Sequence, residues 1–365
     1  MRMRRKPGSG ARLSVPPWWR DALIPRMGPA PFLSRRAFLA ALLASSAAPV
    51  AAQNAAQPFA LPDLPGPLRP LGGLVIDAKA LGGGGFSGAH LAPDLTLTLI
   101  SDRGHWAEAR LLLEDLTPIG LAPIRHGALR DEAGKPIQRG FNADAEALAR
   151  LPDGTWLVAF ERRHRIRAYR RLDGPGAYVA PPPGLDNAPA NGGLESLAVL
   201  PDGRLFAIAE TFTPPDRPEL RHAWLGTPGR WMPLYWQAAP GFHPTDATIL
   251  PDGRALVLER RFSLLGGFAA RLVMTAPEAL RFAREGNVLR GETILTLDDA
   301  PLPAENWEAV AVTRFGDQTL VALISDDNES VLQRSLLLLF AWRQTPASAS
   351  QRFVPPHQSV MINAQ

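Results

Sequence analysis

Acidic side chains bracket a short turn in the stretch GGLESLAVLPDGRLFAIAET, residues 192–211. Glu195 lies seven residues before Asp202 of the Pro-Asp-Gly turn, and Glu210 lies eight residues after it. In a β-hairpin, residues at similar distances from the turn lie at the same end of the sheet. The two carboxylates are therefore predicted to be neighbours at the strand ends opposite the turn.

The same arrangement recurs along the chain, with a charged or polar residue on each side of a turn. The corresponding pairs are Ser87 and Asp102, Glu146 and Glu161, Asp246 and Glu259, and Glu308 and Asp326. Further charged residues lie beside these pairs: Arg103, His105, Asp144, Arg162 and Arg260. If every hairpin points the same way, all these side chains gather at one opening.

Carboxylates at such close range cannot all stay ionised unless cations compensate them. Hard oxygen ligands favour Ca²⁺ or Mg²⁺ over Zn²⁺, and a bound metal polarises a phosphoryl oxygen and activates water. The predicted metal ligands are Asp144, Glu146, Glu210, Asp246, Glu259, Glu308 and Asp326. The predicted catalytic residues are Asp102, His105, Glu161 and Glu195. Arg103, Arg162 and Arg260 are predicted to bind the anionic group of a substrate.

A structural interpretation competes with this one. Acidic residues that recur in every repeat can accept hydrogen bonds from the backbone of the neighbouring repeat, and a catalytic residue is needed only once. This alternative applies most to the first member of each pair, as in Glu146, Glu195 and Glu308. The second member varies in identity from repeat to repeat, which favours a site.

The repeats themselves predict the fold. Each is an apolar run, a turn and a second apolar run, and the turn prolines at 93, 152, 201 and 251 are separated by 59, 49 and 50 residues. Hairpins at this period are typical of a β-propeller. The length of the chain after the first 52 residues, at about 50 residues per blade, predicts an all-β, six-bladed propeller. Terminal strands at 73–81 and 336–342 are predicted to close the ring. An open β-sandwich or two smaller β domains are the alternative, and only residues 276–285 look helical.

The first 52 residues predict an export signal. Ser34-Arg35-Arg36-Ala37-Phe38-Leu39 resembles a twin-arginine (Tat) motif, and an apolar run and an A-x-A-like site at Val50-Ala51-Ala52 follow. Translation is predicted to begin at Met27. We therefore expect a signal peptide (1–52), a linker (53–70), the propeller (71–343) and a loose tail (344–365) in a periplasmic or secreted protein.

Charge and composition exclude several function classes. The whole chain has a formal net charge of +4, but nine basic residues and one acid fall within the first 52, so the remainder is acidic. This argues against a nucleic-acid partner. The absence of cysteine excludes disulfides and thiolate metal sites. A monomer with no membrane contact after signal cleavage, acting on a small phosphorylated or ester substrate, is expected.

Several motifs resemble a known family: GFSGAHLAPD, DAEALARLPDG, NGGLESLAVLPDG, DATILPDGRALVLERRF and NWEAVAV. They are similar to those of the phytase-like domain proteins ("esterase-like activity of phytase"), which are exported bacterial proteins. The resemblance covers roughly residues 72–343. It implies kinship with calcium-dependent, six-bladed propellers that cleave phosphate from inositol phosphates.

Three functions remain open at this point. The leading hypothesis is a calcium-dependent phosphoester hydrolase acting at the mouth of the channel. The second is a propeller lactonase or carboxylesterase, in which one Ca²⁺ polarises a carbonyl group. The third is a non-catalytic propeller that binds a ligand across its face.

Overall fold

The computed structural model describes residues 54–298, 300–328 and 333–343. The predicted signal peptide and the predicted tail lie outside the described residues. The segment predicted as a linker, 53–70, contains the first strand and the start of the second.

The described residues contain 22 β-strands. In chain order they are β1 (Ala56–Phe59), β2 (Leu68–Ile76), β3 (Phe86–Leu91), β4 (Thr96–Ser101), β5 (His105–Glu114), β6 (Thr117–Ala128), β7 (Ala145–Arg150), β8 (Trp156–Phe160), β9 (Arg165–Tyr169), β10 (Ala177–Val179), β11 (Leu194–Val199), β12 (Leu205–Ala209), β13 (Leu220–Thr227), β14 (Arg230–Gln237), β15 (His243–Ile249), β16 (Ala255–Ser263), β17 (Gly267–Thr275), β18 (Val288–Leu289), β19 (Gly291–Leu297), β20 (Asn306–Phe315), β21 (Gln318–Asp326) and β22 (Leu336–Trp342).

These strands form five sheets, which are the blades of an all-β propeller arrangement. Blade 1 has the order β3-β4-β5-β6, blade 2 β7-β8-β9-β10, blade 3 β11-β12-β13-β14-β18 and blade 4 β15-β16-β17-β19. Blade 5 has the order β20-β21-β22-β2-β1, so strands from both ends of the described chain share one sheet.

The predicted number of six blades is wrong, because the described residues form five sheets. The two terminal strands were expected to build a sixth blade of their own. They do pair, since β2 is antiparallel to β22, but β22 also pairs with β21. Among the described residues only β22 follows the hairpin β20-β21 in the chain. The N-terminal strands β1 and β2 therefore complete its sheet. The fifth repeat and the terminal strands are therefore the same blade.

The first strand of each hairpin motif is the innermost strand of its blade, as predicted. These inner strands are β3, β7, β11, β15 and β20, and each contacts the inner strands of two other blades. A narrow cavity of about 170 Å³ is lined by residues from all five of them. The apolar core lies between neighbouring blades in five clusters of Leu, Ala, Val, Ile and aromatic side chains.

The Pro-Asp-Gly turns have the predicted chemistry. Asp153 Oδ1 accepts a hydrogen bond from the Thr155 N–H at 2.9 Å. Asp202 and Asp252 likewise accept a hydrogen bond from the backbone N–H of the residue two positions later in the chain. Gly154 has a φ of +88°, which an L-residue adopts only with strain. These turns fix the register of each hairpin, and so they fix which residues reach its far end.

Helical structure is almost absent from the described chain. It consists of two single-turn 3₁₀ helices, Ala78–Leu81 and Leu185–Asn187. The helix expected at residues 276–285 is not formed, and the segment is a run of turns. Leu280 anchors it in the core between blades 3 and 4. No helix in the described ranges is long and apolar enough to cross a bilayer.

Candidate functional site at the channel mouth

Every inner strand carries one extra residue near its start. In blade 2, Ala145 pairs with Phe160 and Ala147 pairs with Ala159, so Glu146 is left out of the ladder. This is a β-bulge, which redirects a side chain while the strand pairing continues on both sides. The equivalent bulge positions in blades 1 to 5 are Ser87, Glu146, Glu195, Thr245 and Glu308.

A second set of equivalent residues lies on the neighbouring strand of each blade. In blade 2, Phe160 on β8 pairs with Ala145, and the residue that follows Phe160 is Glu161. The five equivalent residues, here called rim positions, are Asp102, Glu161, Glu210, Arg260 and Asp326. All five are charged, and four are acidic. The register thus places ten equivalent residues at one end of the channel, which we call the mouth.

The bulge residues divide into two kinds. Ser87 donates its hydroxyl to the carbonyl of Ala145 in the next blade, and Thr245 donates to the carbonyl of Trp307 at 3.3 Å. Both hydroxyls therefore join neighbouring blades. In the other three blades the same position is a glutamate, and these glutamates influence one another electrostatically.

The carboxylates of blades 2 and 3 converge. Carboxyl oxygens of Asp144, Glu146 and Glu161 lie within 4.8 Å of one another, and so do those of Glu161, Glu195 and Glu210. Glu161 belongs to both groups. Its Oε1 also accepts a hydrogen bond from the Gly193 N–H of blade 3 at 2.9 Å, so it links two blades as the structural interpretation expects. The five acids therefore form two overlapping groups, each with three carboxyl oxygens close enough together to bind one cation.

Burial raises the pKa of Glu146, Glu161 and Glu195, and repulsion from neighbouring acids adds to the effect. The pKa of Glu195 is raised well above its ordinary value by burial and by Glu146 and Glu210. The pKa of Glu161 is raised to about 7 and that of Glu308 to about 7, in both cases mainly by burial. The mouth therefore holds protons near neutral pH unless a cation replaces them.

Arg260 supplies positive charge on the other side of the mouth. Its guanidinium lies 3.0 Å from Glu308 Oε1 and 3.5 Å from Glu210 Oε1, and it donates to Asn306 Oδ1. Burial alone would lower the pKa of Arg260, but Glu308 and Glu210 raise it. Arg260 is thus the internal counter-ion of blades 3 and 5, while the acids of blade 2 lie farther along the ring.

The other predicted basic residues also lie at the mouth. Arg162 Nε is 2.5 Å from Asp144 Oδ2, and Arg103 Nε is 3.6 Å from Asp102 Oδ1. The pKa of His105 is lowered by burial and by Arg139 and Arg103. The pKa of Asp102 is raised by burial. These residues lie on the side of the mouth formed by blades 1 and 2.

Two predicted metal ligands have their oxygens occupied by protein donors. Asp246 is one residue beyond the bulge and accepts hydrogen bonds from the N–H groups of Val310 and Ala247, both at 2.8 Å. Glu259 is fully buried and accepts from Trp236 Nε1 at 2.7 Å and from Arg271 Nε at 2.6 Å. Both bind neighbouring strands together, and neither belongs to the converging carboxylates of blades 2 and 3.

Asp326, the rim residue of blade 5, has a different environment. Its pKa is raised to about 6, mainly by burial and by the nearby Asp102. Backbone N–H groups of Asn328 and Gly85 oppose that shift. Its Oδ1 is buried without a hydrogen-bond partner among the described residues. Asp326 therefore joins blade 5 to blade 1 across the mouth.

A cleft beside blade 2 was missed by sequence reasoning, apart from Arg162. It has a volume of about 1070 Å³ and is lined by Arg162, Arg163, His164, Arg165, Arg167 and Lys135, among others. Arg163 donates to Asn142 Oδ1, and Arg165 donates to the carbonyls of Arg163 and Asn142. The only signal in the sequence was the run Arg162-Arg163-His164-Arg165. Arg163 and Arg165 therefore have neutral hydrogen-bond partners, whereas Arg162 pairs with Asp144 and Arg167 pairs with Glu132.

Replacing Asp246 with alanine should destabilise the protein by about 2–4 kcal/mol, because the buried N–H groups of Val310 and Ala247 lose their acceptor. Urea unfolding monitored by tryptophan fluorescence measures this. Asp317→Ala, at the exposed turn between β20 and β21 of blade 5, is the control and should change little. An Asp246→Ala variant as stable as the native protein would contradict a joining role for this carboxylate.

We expect the metal-free protein to lose stability as the pH rises from about 6.5 to about 8.5. The folded-state pKa of Glu308, about 7, lies above its ordinary value of 4.5, so protonation favours the folded state. That contribution is complete below the unfolded pKa and is lost as the pH rises through the folded pKa. Histidines with lowered pKa, such as His90, act in the opposite direction, but only below 6.5.

The melting temperature in the presence of a chelator tests this expectation. Glu308→Gln should reduce the slope between the two pH values, since it removes one of the titrating groups. A melting temperature that stays level or rises over this interval would show that the carboxylates of the mouth are already ionised in the folded protein.

Comparisons with known proteins give the chain its family. Among solved structures, a gluconolactonase from Xanthomonas campestris is 11% identical with a TM-score of 0.39, over 78% of this chain and 97% of that one. An α-L-arabinofuranosidase from Podospora anserina is 12% identical with a TM-score of 0.42, over 80% and 96%. A luciferin-regenerating enzyme is 11% identical with a TM-score of 0.38, over 71% and 93%.

Similarity at this level does not extend to activity, and a search of the curated proteins found no match. The family model is more informative. The model named "Phytase-like", described as "Esterase-like activity of phytase", matches residues 82–329 and so covers most of the propeller. The chain therefore belongs to the phytase-like family.

Proposed function

We propose that the protein is a calcium-dependent hydrolase of phosphate esters and that the reaction takes place at the mouth. The observation that carries this proposal is the convergence of Asp144, Glu146, Glu161, Glu195 and Glu210, in two groups whose oxygens lie within 4.8 Å. Membership of the phytase-like family supports it.

The residues present fit a hard divalent cation. All the donors are carboxylate oxygens, which Ca²⁺ prefers. Glu195 is 9% exposed, and burial together with Glu146 and Glu210 raises its pKa well above the ordinary value. A buried carboxylate repelled by neighbouring acids is costly unless it is protonated or binds a cation. A calcium ion held by Glu161, Glu195 and Glu210 would polarise a phosphoryl oxygen and acidify a water molecule.

The cleft favours an anionic substrate. Arg162 connects the two regions, because it lines the cleft and its Nε contacts Asp144. The pKa of Arg165 is lowered to about 10 by burial and by its neighbours Arg167 and Arg163, so these cations repel one another. An anion bound among them relieves that repulsion. A phosphate ester bound between cleft and mouth has its anionic oxygens on the arginines.

Two groups at the mouth, His105 and Asp144, have suitable protonation states for proton transfer. The lowered pKa of His105 keeps its ring neutral at pH 7, so it can accept a proton. The pKa of Asp144 is raised, first by burial, and its carboxyl hydrogen-bonds to that of Glu146. A proton shared between these two acids is available to a leaving group.

The deciding experiment combines metal analysis with a substrate panel. Purified protein is analysed for bound calcium, and phosphate release from p-nitrophenyl phosphate and from phytate is measured with and without chelator. We expect turnover that the chelator abolishes and calcium restores. Lactones and p-nitrophenyl acetate form the second arm of the panel. Turnover of these compounds alone would make the protein a lactonase or carboxylesterase, and no turnover with any divalent metal would favour a ligand-binding propeller.

Arg163→Gln should raise KM for a phosphate ester by about tenfold and leave kcat nearly unchanged, because Arg163 lines the cleft without contacting the converging carboxylates. Initial rates over a range of substrate concentrations measure the two constants. The control is Arg314→Gln, whose exposed side chain lies near the turn at Gly316. A KM that does not change would remove the cleft from the substrate site.

Location is part of the proposal. The twin-arginine motif and the apolar run that follows it support export to the periplasm or the medium. Cell fractionation of native protein and of a variant with Arg35 and Arg36 replaced by lysine tests this. The variant should remain in the cytoplasm.

A further inference from the structure

One hairpin of blade 4 extends well beyond the mouth. In blade 1 the second and third strands last pair at Ser101 and His105, and in blade 2 at Phe160 and Arg165. In blade 4, β16 and β17 continue past the equivalent residue Glu259 for four more pairs, ending at Ser263 and Gly267. At about 3.3 Å per residue, the hairpin reaches about 13 Å farther than its counterparts. We call residues 261–268 the mouth hairpin.

The mouth hairpin has apolar side chains at its end. Leu264 and Leu265 are 94% and 104% exposed, so they contact almost nothing in the protein. Just behind them, Phe262 and Phe268 pack against each other with ring centroids 4.8 Å apart, and Phe262 is itself 58% exposed. Arg261, also exposed, comes next. The order from the end inward is therefore aliphatic, aromatic and cationic.

We propose that the mouth hairpin inserts into a lipid surface with anionic headgroups and so holds the mouth against that surface. The layered order matches the layers of a bilayer interface, where leucines reach the acyl chains, aromatic rings lie at the boundary and arginine meets phosphate. A lipid bilayer is fluid, so it can bury the protruding tip of the hairpin without having a surface of complementary shape. A protein partner would need a pocket for two leucines, and protein interfaces are usually broader patches.

Charge on this side of the molecule is compatible with such a surface. The guanidinium of Arg261 lies 4.9 Å from the ring centroid of Phe242, which holds it beside the hairpin. The nearby acids of the mouth are recessed, since the side chains of Glu210 and Glu308 are only 17% and 14% exposed. Anionic headgroups therefore meet the arginine first.

This proposal departs from the expectation of no membrane contact, and it stands independently of the proposed reaction. Vesicle binding can succeed while the hydrolysis assay fails, and the reverse also holds.

A site-specific probe gives the first test. The chain has no cysteine, so Leu264→Cys can be labelled with an environment-sensitive fluorophore at a single place. Phe282→Cys is the matched control, because Phe282 is 63% exposed and follows β17 at the opposite end of the blade. Vesicles of phosphatidylcholine with phosphatidylglycerol should blue-shift the emission at position 264 but not at 282. No shift at 264, or equal shifts at both, would overturn the proposal.

Vesicle co-sedimentation of full-length protein gives the second test. Replacing both Leu264 and Leu265 with serine should weaken partitioning by at least about tenfold. Arg261→Gln should weaken binding to anionic vesicles and leave binding to pure phosphatidylcholine unchanged. The predicted leader is present in every variant, so differences between them belong to the hairpin. Equal partitioning of all variants would refute insertion, and so would a dimer in light scattering that the double variant abolishes.

Discussion

Replacing Glu195 with glutamine should weaken calcium binding by at least about 100-fold and abolish hydrolysis. Glu195 is the bulge residue of blade 3 and lies within 4.8 Å of Glu161 and Glu210, so its loss removes one of three converging carboxylates. The same substitution should stabilise the metal-free protein at pH 8.5, by about 1–3 kcal/mol, since a buried charge becomes a neutral amide of the same size. Isothermal titration with calcium and thermal unfolding in chelator measure the two effects.

Opposite signs for metal binding and stability distinguish a ligand from a residue that merely holds the fold. A structural carboxylate such as Asp246 would lose stability on substitution, because its donors are left unpaired. Glu292→Gln, on an exposed strand position of blade 4, is the control and should change neither quantity. Calcium binding of native strength in Glu195→Gln would remove blade 3 from the metal site.

Replacing Arg260 with alanine should cost about 3–5 kcal/mol of stability, the largest loss expected for any single change at the mouth. Its guanidinium lies 3.0 Å from Glu308 and 3.5 Å from Glu210, and the variant would leave both acids without a counter-ion. Urea unfolding at pH 8, where those acids are ionised in the unfolded chain, measures the cost. The loss should be smaller at pH 5, where protonation of Glu308 replaces the missing charge.

Arg260→Lys separates charge from shape. A lysine retains the positive charge but cannot contact Glu308, Glu210 and Asn306 together, so we expect partial recovery. Arg171→Ala is the control, because Arg171 pairs with Asp173 on the surface with its side chain 67% exposed, and such pairs contribute little. An Arg260→Ala variant as stable as native protein at both pH values would show that the acids of the mouth do not need a counter-ion.

The spacing in the sequence was a better guide to the site than residue type. Glu195 and Glu210 lie seven residues before and eight after the turn aspartate, and in blade 4 the same spacing selects Thr245 and Arg260. Asp246 and Glu259 fit the predicted metal chemistry because they are acidic, although each lies one residue away from the position that this spacing selects. The register confirms the spacing, since Thr245 is the bulge residue and Arg260 the rim residue.

Other features were beyond reach of the sequence. The hairpin repeats predicted a propeller. The number of blades depended on whether the terminal strands form their own sheet or complete another one, and the spacing of the repeats does not distinguish these two arrangements. The arginine cleft joins a loop containing Lys135 to β9, and nothing in the sequence brings these segments together. Bulges leave no pattern in a single repeat, because one extra residue looks like ordinary variation in strand length.

The bulges have a consequence for how such proteins diversify. A bulge residue stands outside the ladder of its strand, so exchanging it leaves the strand pairing unchanged. The five blades already have serine, threonine and glutamate at this position. Single codon changes can therefore add or remove charges one at a time around a constant scaffold. Relatives built on this plan are free to acquire new ion preferences, or to lose them, without redesigning their cores.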